Sequence, residues 1–268
     1  GIFRTIRAPA SSLFLAIHKV FLRKSAIVSA QILLGLVLVD GIIVPLGLDK
    51  TIDCGIIPSG KIGINVKGRD NMFVYADNAA TTCVSKTALE AMLPFLTEDY
   101  GNPSSLYAFG QRAAEALAQA REDVAACLNA DPKEIIFTSG GSEADNQAIV
   151  SAARNGAKKG KKHLISTKFE HHAVLHTLKR LEKEGFEVTL VDVHEDGVVR
   201  VEDIEAAIRP DTALVTVMFA NNEIGTVQPI AEIGALCREK KIPFHTDAVH
   251  AAGHMPIDVK AMNIDMLS

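Results

Sequence analysis

From residue 134 onward the chain alternates short apolar runs with stretches of helical spacing, and this alternation narrows the possible folds more than any other feature. The runs 134–138, 163–167, 187–193, 212–219 and 243–246 are rich in Ile, Val, Leu and Phe and too short to be helices. Between them, 143–155, 173–184, 201–208 and 230–240 carry apolar residues at helical spacing. Upstream, helices are expected over 84–96 and 108–128, separated by Asn102-Pro103-Ser104-Ser105. Strand–helix alternation predicts an α/β domain on a mainly parallel sheet with helices on both faces. Ligands of such sheets sit at the carboxyl ends of the strands, so residues just past each apolar run become the candidates for function.

The chain's 268 residues suffice for one large α/β domain or two smaller ones. A net charge of −4 argues against general nucleic-acid binding, which needs a basic face. Cys54, Cys83, Cys127 and Cys237 stand far apart, without CxxC or Cys/His spacing. They are expected to be isolated buried thiols of a reducing, cytoplasmic compartment. Residues 1–71 differ in character from the rest: Arg4, Arg7, Lys19, Arg23 and Lys24 precede the first acid, Asp40, and 26–39 is almost wholly apolar. One reading is an extension unrelated to a domain that begins at Met72 in MFVYADNAATT. A second is a membrane or organelle-targeting segment, although Asp40 and Pro45 interrupt the apolar run. A third is a small domain, given the strand-like Ile/Val pairs of the Gly-rich stretch 55–68. The expected division is 1–71 and 72–268.

Four segments at strand ends carry candidate chemistry. In TSGGSEADN (138–146) Gly140 and Gly141 allow a tight turn, and a helix starting near Ser142 aims free N–H groups at an anion such as a phosphate. The competing reading is an ordinary capped helix, with Ser142 as N-cap and Glu143 in the first turn. Asp247, ending the run in HTDAVHAAG (245–253), either pairs with a pyridine nitrogen or caps the next turn. Asn222 of ANNEIGT (220–226) either bonds a ring oxygen or substrate carboxylate, or is a turn residue. His171 and His172 in EHHAV (170–174) follow a strand, where an imidazole can stack on a ring or pass protons. His250 lies three residues past Asp247 on the same crevice edge, whereas His176, His245 and His254 read as surface or structural. A metal site from His171, His172 and Asp247 is disfavoured, because adjacent histidines rarely point the same way, and no metal is expected.

With YADNAATT (75–82), YGNPSSLYAFG (100–110), RPDTALVTVMFANNEIGTVQPI (209–230) and FHTDAVHAAGHMPIDV (244–259), these segments make 72–268 resemble the N-terminal part of a cysteine desulfurase. That family is class V aminotransferase-like, within pyridoxal phosphate (PLP) fold type I, and the NifS/IscS-like branch is the nearest. The resemblance implies PLP as cofactor, with Ser142 and the Glu143 backbone on its phosphate. It further implies His171 stacked on the ring and shuttling protons, Asn222 at the ring oxygen and substrate, and Asp247 at the ring nitrogen. His250 stands where the family usually has Gln, which bonds the ring hydroxyl. The implied reaction takes L-cysteine to L-alanine and passes sulfur to a loop cysteine as a persulfide. The implied partners are a second copy in a homodimer and an iron–sulfur scaffold or another sulfur acceptor. The family's cofactor-holding lysine, loop cysteine and substrate-clamping arginine would lie beyond Ser268, so the chain by itself is expected to be inactive. Selenocysteine lyase, another class V PLP enzyme and a non-catalytic remnant are the alternatives.

Overall fold

The computed structural model describes residues 53–56, 62–65, 75 and 77–268. The basic residues and apolar run of the first 52 positions, and Met72, lie outside the described residues. The Gly-rich stretch contributes two short strands, β1 (Asp53–Ile56) and β2 (Ile62–Asn65), paired antiparallel with Gly55 opposite Gly63. Among the described residues no helix is long and apolar enough to cross a membrane.

Two helices lead into the main domain. α1 (Lys86–Thr97) starts at Ser85, whose hydroxyl accepts the Ala88 N–H at 3.2 Å. α2 (Ala108–Leu128) stops at Asn129, which takes the left-handed conformation, φ 55°, that Asn tolerates. The alternating part follows as α3 (Gly141–Ala157), β3 (His163–Thr167), α4 (His172–Lys183), β4 (Glu187–Val191) and α5 (Val201–Ala207). It continues as β5 (Thr212–Thr216), α6 (Ile230–Lys240), β6 (Phe244–Thr246) and β7 (Met266–Leu267). The five strands β3 to β7 form one sheet in the order β4-β3-β5-β6-β7, with every pairing parallel. The expected α/β architecture with a parallel sheet is therefore present.

Period-2 alternation assigns the two faces of the sheet. Leu164 and Leu214 pack with Ile149, Val174, Leu178 and Leu181 beneath α3 and α4. Ile165 and Val215, one residue further on, pack with Ile204, Ile230, Ile233 and Phe244 on the opposite face, beneath α5 and α6. Each fully buried side chain of this size contributes about 1.5–3 kcal/mol. His163 is buried in the sheet, its Nδ1 2.9 Å from Thr212 Oγ1 and its Nε2 2.8 Å from Thr189 Oγ1.

Two expectations are corrected. The run 134–138 is not a strand: Pro132–Glu134 is a 3-10 turn closed by an Asp131 capping box, and Ile136 is 66% exposed. A groove of roughly 620 Å³ separates this run from β7, lined by Ile135, Ile136, Val259, Ile264 and Leu267. A ladder needs a neighbour about 4.8 Å away, so strand-like composition without a partner makes no strand. Arg121 holds the segment instead, bonding the Ile135 carbonyl and lying 4.7 Å over the Phe137 ring. The thiols are not uniformly buried either: Cys83 and Cys127 are exposed, and Cys237 is buried with its pKa pushed up to about 12, chiefly by burial. Spacing alone could not place these two sulfurs, because exposure depends on what the rest of the fold packs over them.

Helix α6 approaches the 258–263 turn so closely that a Cβ on Gly234 would lie 1.9 Å from the Met262 carbonyl oxygen. Gly234→Ala is expected to lower unfolding free energy by at least about 2 kcal/mol through overpacking against backbone. Urea denaturation of the purified chain checks this, and an unchanged midpoint would show that the turn is not packed as described.

Candidate active site

The strand order reverses between β3 and β5, because the chain runs from β3 outward to β4 and then returns to build β5, β6 and β7 on the other side. At such a switch point the two following loops diverge and leave a crevice at the carboxyl ends of the strands. The candidate residues come from its four borders: the turn into α3, the loop after β3, the loop after β5 and the loop after β6.

Helix α3 begins at Gly141, with Gly140 as N-cap and no side-chain cap bond. The first amides of the helix thus point outward unpaired by any capping side chain, an arrangement suited to an anion. Ser142 is not the cap; it is exposed in the first turn, and its carbonyl accepts the Asn146 amide at 2.7 Å. Glu143 turns back, its carboxylate accepting the Ser139 N–H at 2.5 Å, and the Ser139 side chain first and this N–H second hold its pKa below the ordinary range. A Cβ on Gly141 would sit 2.5 Å from Val249 Cγ2, so a glycine here lets the helix start press against the loop after β6.

That loop carries Asp247, 3% exposed, whose Oδ1 accepts the Val249 N–H at 3.0 Å. Burial raises its pKa, while the Val249 amide and then the imidazoles of His171 and His250 act to keep it ionised. The structure thus gathers Asp247, His171 and His250 around one buried carboxyl. Burial is the largest influence on His250 and lowers its pKa, with Asp247 opposing. His171 is the N-cap of α4, its Nδ1 accepting the Ala173 N–H at 3.1 Å. Nδ1 being an acceptor, the proton of the neutral ring lies on Nε2. His172 stacks on His176 at 5.5 Å and, with Ser142 and His171, lines a shallow cavity at the start of α4. No group of three or more His, Cys, Asp or Glu among the described residues could hold a metal ion.

In the loop after β5 the hydrogen bonds of the turn belong to Asn221, not Asn222. Asn221 donates to the Phe169 carbonyl at 3.0 Å and accepts from Glu223 and Ile224 at 2.9 and 3.0 Å. Asn222, half-buried beside it, is left at the crevice edge.

Three buried residues belong to the site that the sequence reading had not assigned to it. Glu170 Oε1 accepts the Thr167 hydroxyl at 2.6 Å and the Met218 N–H at 2.9 Å, and burial pushes its pKa up to about 8. Asp145 is 1% exposed on α3. His245 lies between Thr216 Oγ1 at 2.8 Å and Ser268 Oγ at 3.0 Å. The signal for Asp145 was available: it shares the buried stripe of α3 with Ile149 and Ala152, an acid on an apolar face. Glu170 offered only its place after an apolar run.

The class-V aminotransferase family model matches residues 74–268. The cysteine desulfurase IscS of Clostridium botulinum is 61% identical over 198 residues, covering 74% of this chain and 50% of that protein. The cysteine desulfurase IscS of Methanosarcina thermophila is 54% identical over 199 residues, covering 74% and 49%. Among solved structures, SspA in complex with cysteine aligns with a TM-score of 0.70 at 45% identity, covering 72% of this chain and 56% of that one. A NifS-like protein aligns at 0.71 and 40% identity, covering 73% and 54%. The chain spans about half the length of the curated relatives it matches.

Burial pushes the His245 pKa down to about 3, below the usual imidazole value of about 6.5. Below pH 6.5 the unfolded chain therefore gains a proton that the folded chain refuses. The resulting stability is complete above about pH 6.5 and is lost as pH falls toward 3. His245→Gln is expected to be less stable at pH 7 yet to lose less of its remaining stability between pH 6.5 and 4, as read by urea midpoints. Parallel curves for the two proteins would show His245 to be charged in the fold.

Proposed function

The chain belongs to the class-V aminotransferase family, and from that premise we propose that residues 77–268 form the PLP-binding part of a cysteine desulfurase. The observation that carries the reading is a buried Asp247 at the end of β6, packed against an uncapped helix start through the Gly141–Val249 contact. One border suits a phosphate and the other a protonated ring nitrogen, so the residues present fit PLP. Identity of 61% to a cysteine desulfurase supports L-cysteine as substrate over other amino acids.

When bound, PLP supplies an electron sink for charge developing beside the substrate amine. The rest falls to the chain's own groups. The Ser142 hydroxyl and the amides of Gly141 and Ser142 would bind the anionic end through the helix dipole, whereas the Glu143 amide expected there is given to the Gly140 carbonyl at 3.1 Å. Asp247 holds a proton on the ring nitrogen, and its charge is favoured by His171 and His250. His171 covers the site from the α4 side and moves protons through Nε2, because Nδ1 is committed to the Ala173 amide. His250, whose pKa burial lowers while Asp247 raises it, would meet the ring hydroxyl, which an imidazole can do in only one tautomer. Asn222 orients the ring oxygen side and the substrate. The reading extends to sulfur passing from L-cysteine to an enzyme cysteine and on to an iron–sulfur scaffold or another acceptor, and to a homodimer as the working unit; both parts rest on the resemblance of the sequence to cysteine desulfurases.

The test is equilibrium PLP binding to the full chain, followed by absorbance and fluorescence. Asp247→Ala is expected to weaken binding by at least about tenfold, the scale of one charge-assisted hydrogen bond. Asp247→Glu should lose less, and His250→Gln should bind as well as the parent. PLP affinity indifferent to Asp247→Ala would return that residue to the role of a turn cap.

A further inference from the structure

Three carboxyl groups are buried where the strands end: Asp145 on α3, Glu170 after β3 and Asp247 after β6, exposed by 1%, 5% and 3%. The proposed function uses only Asp247. Among the described residues no lysine or arginine forms an ion pair with any of them, and Asp145 Oδ1 and Glu170 Oε2 have no hydrogen-bond partner. An unpaired buried carboxylate costs several kcal/mol, and like charges at close quarters add to that. Three charges cannot coexist here, so the surroundings decide which acid ionises.

The groups facing each acid differ. Asp247 has the Val249 amide, His171 and His250, all favouring its charge. Glu170 has the Thr167 hydroxyl and the Met218 amide on one oxygen, with Asp145 and Asp247 as acidic neighbours. Asp145 meets the Ser268 hydroxyl and the edge of His245, whose Nε2 lies 3.7 Å from Oδ1, and it faces Asp247. The His245 contact is not an ion pair, because the imidazole is fully buried, bonded on both nitrogens by hydroxyls and uncharged.

We propose that Asp145 is a positioning residue: an uncharged acid braced against His245 and Ser268, it backs Asp247 and leaves it the carboxylate that meets the cationic end of the ligand. The proposal rests on the PLP reading for the identity of that ligand, but not for the charge assignment. Burial first, and the charge of Asp247 second, push the Asp145 pKa up to about 8. Asp145 thus acts through another residue, by keeping a second negative charge out of the crevice floor.

The charge assignment is tested on the full chain without cofactor, using Asp145→Asn as the isostere of the neutral acid. An unfolded Asp titrates near pH 3.9, and the folded Asp145 near 8. Between these values the folded chain holds a proton that the unfolded chain has released. This stability is complete below about pH 4 and is lost as pH rises toward 8. The Asn variant lacks that loss, so its urea midpoint relative to the parent should rise steadily from pH 5 to 8, and its infrared spectrum should lack one protonated-carboxyl band. Parallel pH profiles, or an unchanged carboxyl band, would overturn the proposal. For the functional half, the PLP dissociation constant at pH 7 should stay within about threefold in Asp145→Asn and rise about tenfold in Asp247→Asn. A loss in Asp145→Asn as large as in Asp247→Asn would make Asp145 the charged partner and sink the assignment. Unchanged binding in Asp247→Asn would count instead against the PLP reading, and the stability profile would still judge Asp145.

Discussion

The crevice exists because β3 and β5 are neighbours whose chains depart in opposite directions, and Glu170 is the group that holds their ends together. Its Oε1 takes the Thr167 hydroxyl from the end of β3 and the Met218 N–H from the segment just past β5. Without it the Met218 amide would be buried and unpaired, a cost of about 1–3 kcal/mol. The Asn221 amide laces the same place a second time, reaching from the loop after β5 to the Phe169 carbonyl. His171 follows Glu170 directly, so the cap it provides for α4 inherits its position from this tie. Asn222 inherits its place from Asn221 in the same way.

The site spends stability on being ready for a ligand. A carboxyl with an orphaned oxygen at Asp145 and another at Glu170 break the rule that buried polar groups are fully satisfied. Both lie at the carboxyl end of the sheet, whereas the opposite ends of β3 and β5 satisfy His163 on both nitrogens. Violations that cluster at one edge of an otherwise consistent core mark function. They also give that edge its electrostatic character: Asp247 has charge-favouring neighbours, and the acids behind it do not.

Much of this was legible in residue order. Helices 108–128 and 230–240 and the strand 163–167 form over the spans that periodicity suggested, since each buries a stripe or face defined by its own side chains. Asp247, His171 and His250 were placed at one crevice by their positions after strands, and the structure brings them within electrostatic reach of each other. Other features needed a partner that lies far away in the chain. The run 134–138 has strand composition but no ladder beside it, and 187–193 leaves the sheet after Val191. Val217 and Phe219, past the end of β5, go on giving their N–H groups to the carbonyls of His245 and Asp247 beside them.

By itself the sequence determined the strand–helix alternation, the parallel sheet and the residues that border its switch point, because these depend on local periodicity and on the order of the elements. The tertiary structure alone decided which charges survive there. Ionisation depends on burial and on neighbours that are distant in sequence: Asp247 with His171, Glu170 with Met218, Asp145 with His245 and Ser268. An acid reads the same in a sequence whether its fold makes it a carboxylate or a neutral brace. Only packing, by removing water from three carboxyls and setting two imidazoles beside one of them, separates Asp247 from Asp145.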